Sequence, residues 1–303
     1  MRLSMKTVVG IVSLMFMVAL FAGYADASSH GKVKPLVDTK FLADHLSDVK
    51  VVFVDNWPKD IEQYKKKHIK GSVYMGIGAI MGALNGGNPD QAKFEGMMHR
   101  LGINNGDHVV LYGADNDSVF TLGAFWLMEY FGHKKVSYLD GSLAKWNAEG
   151  LPTEGGMKAA APGHYKAGSR NESIRIDAAG VLASLGSAAI VDARGTGEYT
   201  GEVNNDKNKR VGHIPSAKDL DAVSTNFNAD HTIKSAADLK KVYESNGVTA
   251  DKEVITYCQA GIKAANSYFV LKHVLGYKNV KAYIGSWADW SNNQDPNKYP
   301  LEK

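Results

Sequence analysis

The sequence predicts an α/β protein built in two similar halves, each a mainly parallel sheet flanked by helices. Two observations carry that reading. Short apolar runs, such as residues 51–54, 109–112 and 254–257, alternate with stretches of helical periodicity. In addition, Val54-Asp55, His68-Ile69, Tyr112, Gly132, Gly141-Ser142 and Trp146 recur in the same order. Their counterparts are Val191-Asp192, His213-Ile214, Tyr257, Gly276, Gly285-Ser286 and Trp290. Composition sets the outer bounds. The 303 residues are 44% hydrophobic and 22% charged, as in a folded protein rather than a disordered one. The net charge of +3 gives no reason to expect nucleic acid binding. A single Cys excludes an internal disulfide, a four-cysteine zinc site and an iron–sulfur cluster held by this chain alone.

Taken in chain order, residues 1–27 read as an export signal. Arg2 and Lys6 precede an uncharged, mostly apolar run, and Ala25-Asp26-Ala27 offers the small residues of a cleavage site. The expected location is therefore periplasmic or extracellular. No second apolar stretch approaches spanning length, so no stable membrane insertion is expected after cleavage.

The first copy occupies residues 28–154. An extended start at Leu36-Val37-Asp38 leads into an amphipathic helix with Leu42 and Leu46, and a buried strand then ends at Asp55. Residues 155–173 hold Gly155-Gly156, Ala159 to Ala161, Pro162-Gly163 and Gly168-Ser169, a composition expected to pack poorly and to serve as a linker. The second copy, 174–303, repeats the plan. Its first buried strand ends at Asp192, another runs to Tyr257, and a helix is expected over 263–275. Asp192 to His213 is longer than Asp55 to His68, which places an insertion around 200–210.

Cys258 stands directly after a strand and before a helix. Ligands of an open α/β sheet bind outside the carboxyl ends of its strands. A loop of Cys258, Gln259, Ala260, Gly261, Ile262 and Lys263 curling onto a helix start would turn backbone N–H groups inward and hold an anion. That setting suits a nucleophilic thiolate. The first copy has Gly113 at the corresponding place, followed by Asp115 and Asp117, and no thiol.

With these residues in view, the chain resembles the tandem-domain rhodanese family (thiosulfate or 3-mercaptopyruvate sulfurtransferases). Three motifs of the second copy carry the resemblance. They are Asp192-Ala193-Arg194 with Glu198-Tyr199 and Gly212 to Ala217, the loop Cys258 to Ala264, and Gly285 to Trp290. The first copy keeps Asp55, His68 and Gly141-Ser142 with Trp146, and is similar to the family's inactive partner domain. The resemblance implies a catalytic Cys258 that carries sulfur as a persulfide, with no metal or other cofactor. It also implies a small anionic sulfur donor and a cyanide or thiol acceptor. Gln259, Ala260, Gly261, Ile262, Lys263 and Arg194 are the candidate substrate-binding residues.

Departures from the family pattern bear on the donor. Thiosulfate-type members carry two basic residues after the Cys, where this chain has Gln259 and Ala260; Lys263 could restore that charge. Members that use 3-mercaptopyruvate have an Arg where Glu198 stands, and a carboxylate there repels an α-keto acid. Thiosulfate is therefore the expected donor. The Cys-x5-Arg loop of related phosphatases is not met, because Ala264 holds the Arg position. Arg194 has two readings, as a substrate ligand or as a partner of Asp192. Arg210, in the insertion, is a candidate for the mouth of the site, and Trp287 for core packing or the pocket wall. His213 is expected to be structural, since His68 occupies its place in a copy without a nucleophile. No His-x3-His or HExxH spacing supports a metal site. Two functions besides enzymatic sulfur transfer stay open: a non-catalytic persulfide carrier or partner-binding module, and a redox-responsive thiol.

Overall fold

The computed structural model describes residues 33–55, 60–114, 119–204 and 208–303. The segment 1–27 expected to be an export signal, along with Asp115 and Asp117, lies outside them. In the first half, β1 (Leu36–Val37) leads into α1 (Thr39–His45), which Asp38 caps by accepting the Phe41 N–H at 2.7 Å. Strand β2 (Lys50–Val54) is buried from Val51 onward, as a central parallel strand covered on both faces must be. Then come α2 (Asp60–Lys66), β3 (His68–Ile69), β4 (Val73–Met75), α3 (Ile77–Leu84) and α4 (Gln91–Arg100). The half closes with β5 (Val109–Tyr112), α5 (Val119–Tyr130), β6 (Val136–Leu139), α6 (Ser142–Ala148) and β7 (Thr153–Glu154). The sheet runs β1-β6-β5-β2-β4, parallel throughout, while β3 pairs antiparallel with β7.

The second half repeats this plan. Asp177 caps α7 (Ala178–Ala183) through the Gly180 N–H at 2.9 Å, and β8 (Ala189–Asp192) follows. Next are α8 (Thr196–Thr200), β9 (Lys218–Asp219), α9 (Ala222–Asn226), α10 (Ala236–Ser245) and β10 (Val254–Tyr257). Then come α11 (Ile262–Phe269), β11 (Val280–Ala282) and α12 (Ser286–Asn292). The parallel order is β11-β10-β8-β9, and a single bridge from Arg175 to Ala282 takes the place of β1. The alternation of strands and helices read from the sequence thus yields the expected two parallel sheets.

The halves share one interior. Helix α5 lies against α11, with Phe125 edge-on to Phe269 at 4.9 Å between ring centroids. Gly123 makes the approach possible, because a Cβ there would stand 2.8 Å from Ile262 Cδ1. Val52, Leu122 and Phe125 of the first half belong to the same buried cluster as Val191, Ile262 and Phe269 of the second. Polar ties cross the seam too. Glu129 meets the Tyr268 hydroxyl at 3.1 Å and His273 Nε2 at 3.0 Å, and Arg175 donates to the Gly87 carbonyl.

Two sequence expectations need correction. The helix expected over 263–275 is regular only to Phe269, after which Val270–Val274 widens into a π-helical turn. The segment 155–173 was expected to pack poorly, yet it is laced onto the first half. Tyr165 is 4% exposed and edge-on to Phe94, and its carbonyl meets His99 Nε2 at 2.7 Å. Gly163 and Gly168 donate to the His99 and Phe131 carbonyls. Small residues let this backbone lie close enough to bond directly, so low hydrophobicity did not mean loose attachment. Tyr165→Ala should destabilise the protein by about 3 kcal/mol, as for other buried aromatics, and speed proteolysis within 155–173. A loose linker would show neither effect in thermal melts and limited digestion.

Candidate active site

Cys258 directly follows β10, the strand flanked by both β8 and β11, and is 2% exposed. The loop after it turns at Gly261, whose φ of +89° lies in the left-handed region. A Cβ there would also come within 2.7 Å of the Ile284 carbonyl oxygen, so this position has room for glycine alone. The turn aims the Gly261 N–H at Cys258 Sγ, 3.1 Å away. A backbone donor in that position can hydrogen-bond an anionic sulfur species.

The loop is fixed from behind by the start of α12. Ser286 has φ +54°, and its hydroxyl oxygen accepts the Cys258 N–H at 3.1 Å. The Trp287 and Ala288 N–H groups donate to the Cys258 and Gln259 carbonyls at 2.8 and 3.0 Å. These amides lack partners within their own helix, so the loop and the helix start satisfy each other. The first half keeps the same frame around Gly113, with Ser142 at φ +51° and the Leu143 N–H donating to the Gly113 carbonyl. The scaffold is duplicated; the thiol is not.

Asp192 joins the ends of β8 and β10. Its carboxylate accepts from Arg194 N–H, Nε and Nη2 and from the Tyr257 hydroxyl, the last at 2.5 Å. Burial and the Asp192 charge push the Tyr257 phenol well above its ordinary range. Arg194 is 2% exposed, also donates to the Gly212 carbonyl, and lies 4.7 Å from the Trp287 ring centre. Arg194 is thus engaged by Asp192, one of its two expected roles. Trp287, 1% exposed beneath it, packs the core.

The remaining loop residues divide. Gln259 forms a reciprocal amide pair with Asn208 at 2.9 and 3.1 Å, so the insertion reaches the loop through a residue that sequence reasoning did not single out. Ala260 is partly exposed beside it, whereas Ile262 points into the notch at Gly123. Lys263 Nζ lies 2.8 Å from Asp221 Oδ2. Burial opposes its charge, but the Asp221 hydrogen bond and charge outweigh burial and hold Lys263 above the usual lysine range. Arg210 is not at the mouth: it binds the carbonyls of Trp290, Ser291 and Tyr299, because the insertion folds back over the end of α12.

His213 stacks on Tyr199 at 3.7 Å and its Nδ1 meets the Tyr199 carbonyl; His68 does the same with Tyr64 at 3.9 Å. Both are structural, as the repeat implied. Among the described residues no group of three His, Cys, Asp or Glu side chains could hold a metal ion.

Comparison with known proteins decides the family. The rhodanese-like domain model matches residues 38–149 and again 177–293. The chain belongs to the rhodanese-like family. Its tandem domains are 37% identical over 276 residues to the sulfur carrier protein TtuD of Thermus thermophilus, covering 85% of this chain and 93% of that protein. A Mycolicibacterium smegmatis protein whose name proposes thiosulfate sulfurtransferase activity is 32% identical over 264 residues, covering 85% and 94%. Among solved structures, SseA from Escherichia coli, described with the 3-mercaptopyruvate sulfotransferases, is 28% identical. Its TM-score is 0.72, with 84% of this chain and 99% of that chain covered.

In the second rhodanese-like domain, the Asp192 node predicts a stability defect. Arg194→Ala would leave a buried carboxylate unpaired and cost about 3–5 kcal/mol, read as a large fall in the thermal midpoint. A substrate-binding arginine would leave the midpoint of the free protein in place.

Proposed function

We propose that the protein is an exported sulfurtransferase working through a persulfide on Cys258. The carrying observation is the Gly261 N–H directed at Cys258 Sγ at 3.1 Å, at the end of a central strand in the domain that keeps the thiol. The thiolate attacks the sulfane sulfur of a donor. With thiosulfate, the S–S bond breaks, sulfite departs with its electron pair, and Cys258 carries the outer sulfur as a persulfide anion. Cyanide or an acceptor thiolate then attacks that sulfur, and the Cys258 thiolate leaves. No proton, metal or redox cofactor is needed at either step, and the loop N–H groups offset the anionic charge.

Thiosulfate is favoured over 3-mercaptopyruvate. Glu198 stands where members that use 3-mercaptopyruvate carry an Arg, so this chain lacks that cation for the carboxylate of an α-keto acid. Export rests on the signal pattern at 1–27. A second reading, a sulfur carrier without rapid turnover, is favoured by the likeness to the Thermus carrier protein.

Intact mass of the purified protein tests the proposal. Thiosulfate should add one sulfur atom, cyanide should remove it, and Cys258→Ser should gain none. A free thiol that takes up no sulfur from either donor would overturn the reading. Steady turnover with excess cyanide distinguishes the enzyme from the carrier, which would stop after one transfer.

A further inference from the structure

The segment 258–263 contains one cation, Lys263. Its ammonium is engaged 2.8 Å from Asp221, with both side chains partly buried. Asp221 stands immediately before α9, and Ala222, the first residue of that helix, packs in one buried cluster with Cys258, Ala193 and Ala264. Asp221 is thus one residue from a packing neighbour of Cys258. The other nearby cation, Arg194, is bound to Asp192. Every positive side chain that these contacts place beside Cys258 therefore has a carboxylate on it, and Glu198 adds a further negative charge within reach of both.

We propose that Asp221 is a specificity-determining residue, which cancels the Lys263 charge and so favours singly charged sulfane donors over the thiosulfate dianion. The proposal rests on the sulfur-transfer reading for its biological meaning. Its physical content is the charge selectivity at Cys258, which is measurable without sulfur transfer. A dianion gains or loses twice the Coulomb energy of a monoanion from the same fixed charge, so removing one carboxylate acts unequally on the two. The Gly261 N–H remains for either donor.

Asp221→Asn removes the charge and keeps the cap of α9. Asp221 Oδ1 caps α9 through the Ser224 N–H at 3.0 Å, and asparagine caps as well as aspartate. With its single amide oxygen kept on the Ser224 N–H, the NH2 group takes the place of the oxygen that accepts from Lys263, so the cap is kept while one negative charge and the Lys263 hydrogen bond are lost. Two measurements follow. First, the rate of Cys258 alkylation by iodoacetate relative to neutral iodoacetamide should rise about threefold in Asp221→Asn and fall in Lys263→Gln. Second, kcat/KM for thiosulfate relative to benzenethiosulfonate, a singly charged sulfane donor, should rise about three- to tenfold in Asp221→Asn. Both gains should shrink at high salt.

An unchanged alkylation ratio in Asp221→Asn overturns the proposal, whatever the turnover. So does an equal change with both sulfur donors, which would make Asp221 a positioning residue for Lys263 only. A raised alkylation ratio in a protein that moves no sulfur would support the charge role of Asp221 while removing the sulfurtransferase reading.

Discussion

The Asp192 carboxylate is the point from which the thiol site hangs. It is fully buried at the end of β8, where an unpaired charge would be prohibitive, and so it organises what surrounds it. Arg194 closes onto it, the Tyr257 hydroxyl donates to it, and the Ile214 N–H donates to that same hydroxyl oxygen. Arg194 in turn fixes the Gly212 carbonyl and lies over Trp287, whose N–H holds the Cys258 carbonyl. Two strand ends, the Gly212–Ile214 corner and the start of α12 are thereby fixed around one carboxylate. Cys258 is the residue after Tyr257, so its place follows from that of the node.

The first half shows what such a frame looks like without a thiol. Asp55 accepts from the Tyr74 hydroxyl at 2.5 Å, and the Tyr112 hydroxyl accepts the Ile69 N–H while sharing a hydrogen bond with Ser72. The histidine–tyrosine stacks, the left-handed serines and the tryptophan bonds to the Pro152 and Pro300 carbonyls occur in both copies. These features therefore serve the fold. Among the described residues, the second half adds a thiol at 258, the contact of Asn208 with Gln259, the Asp192–Arg194 pair and the Lys263–Asp221 pair.

Much of this was legible in the sequence. The duplicated landmarks gave the two parallel sheets, since buried strands ending at Asp55 and Asp192 need no long-range information to recognise. The glycine three residues after Cys258 marked a turn onto a helix start, which the structure uses to aim an N–H at sulfur. Other features were hidden because they depend on partners far apart in the chain. Nothing near Lys263 announces Asp221, 42 residues away, nor does the composition of 155–173 reveal that Tyr165 anchors it. Arg210, a candidate for the mouth as part of the insertion, instead donates to the Trp290 and Ser291 carbonyls at the end of α12 and to the Tyr299 carbonyl beyond it. Arg194 was ambiguous because a neighbour two residues away can be a partner or a bystander, and only burial decides.

The notch at Gly123 bears on how the two halves depend on each other. It receives Ile262, a residue of the thiol loop, and beside it Phe125 covers Phe269. Separated at 155–173, the second half would expose both side chains to water together with the rest of α11's inner face, an apolar patch of the kind that drives self-association. The copy without a thiol thus behaves as a built-in solubilising partner. A gene fragment encoding the thiol-bearing half alone would be expected to yield aggregates rather than a smaller version of the protein.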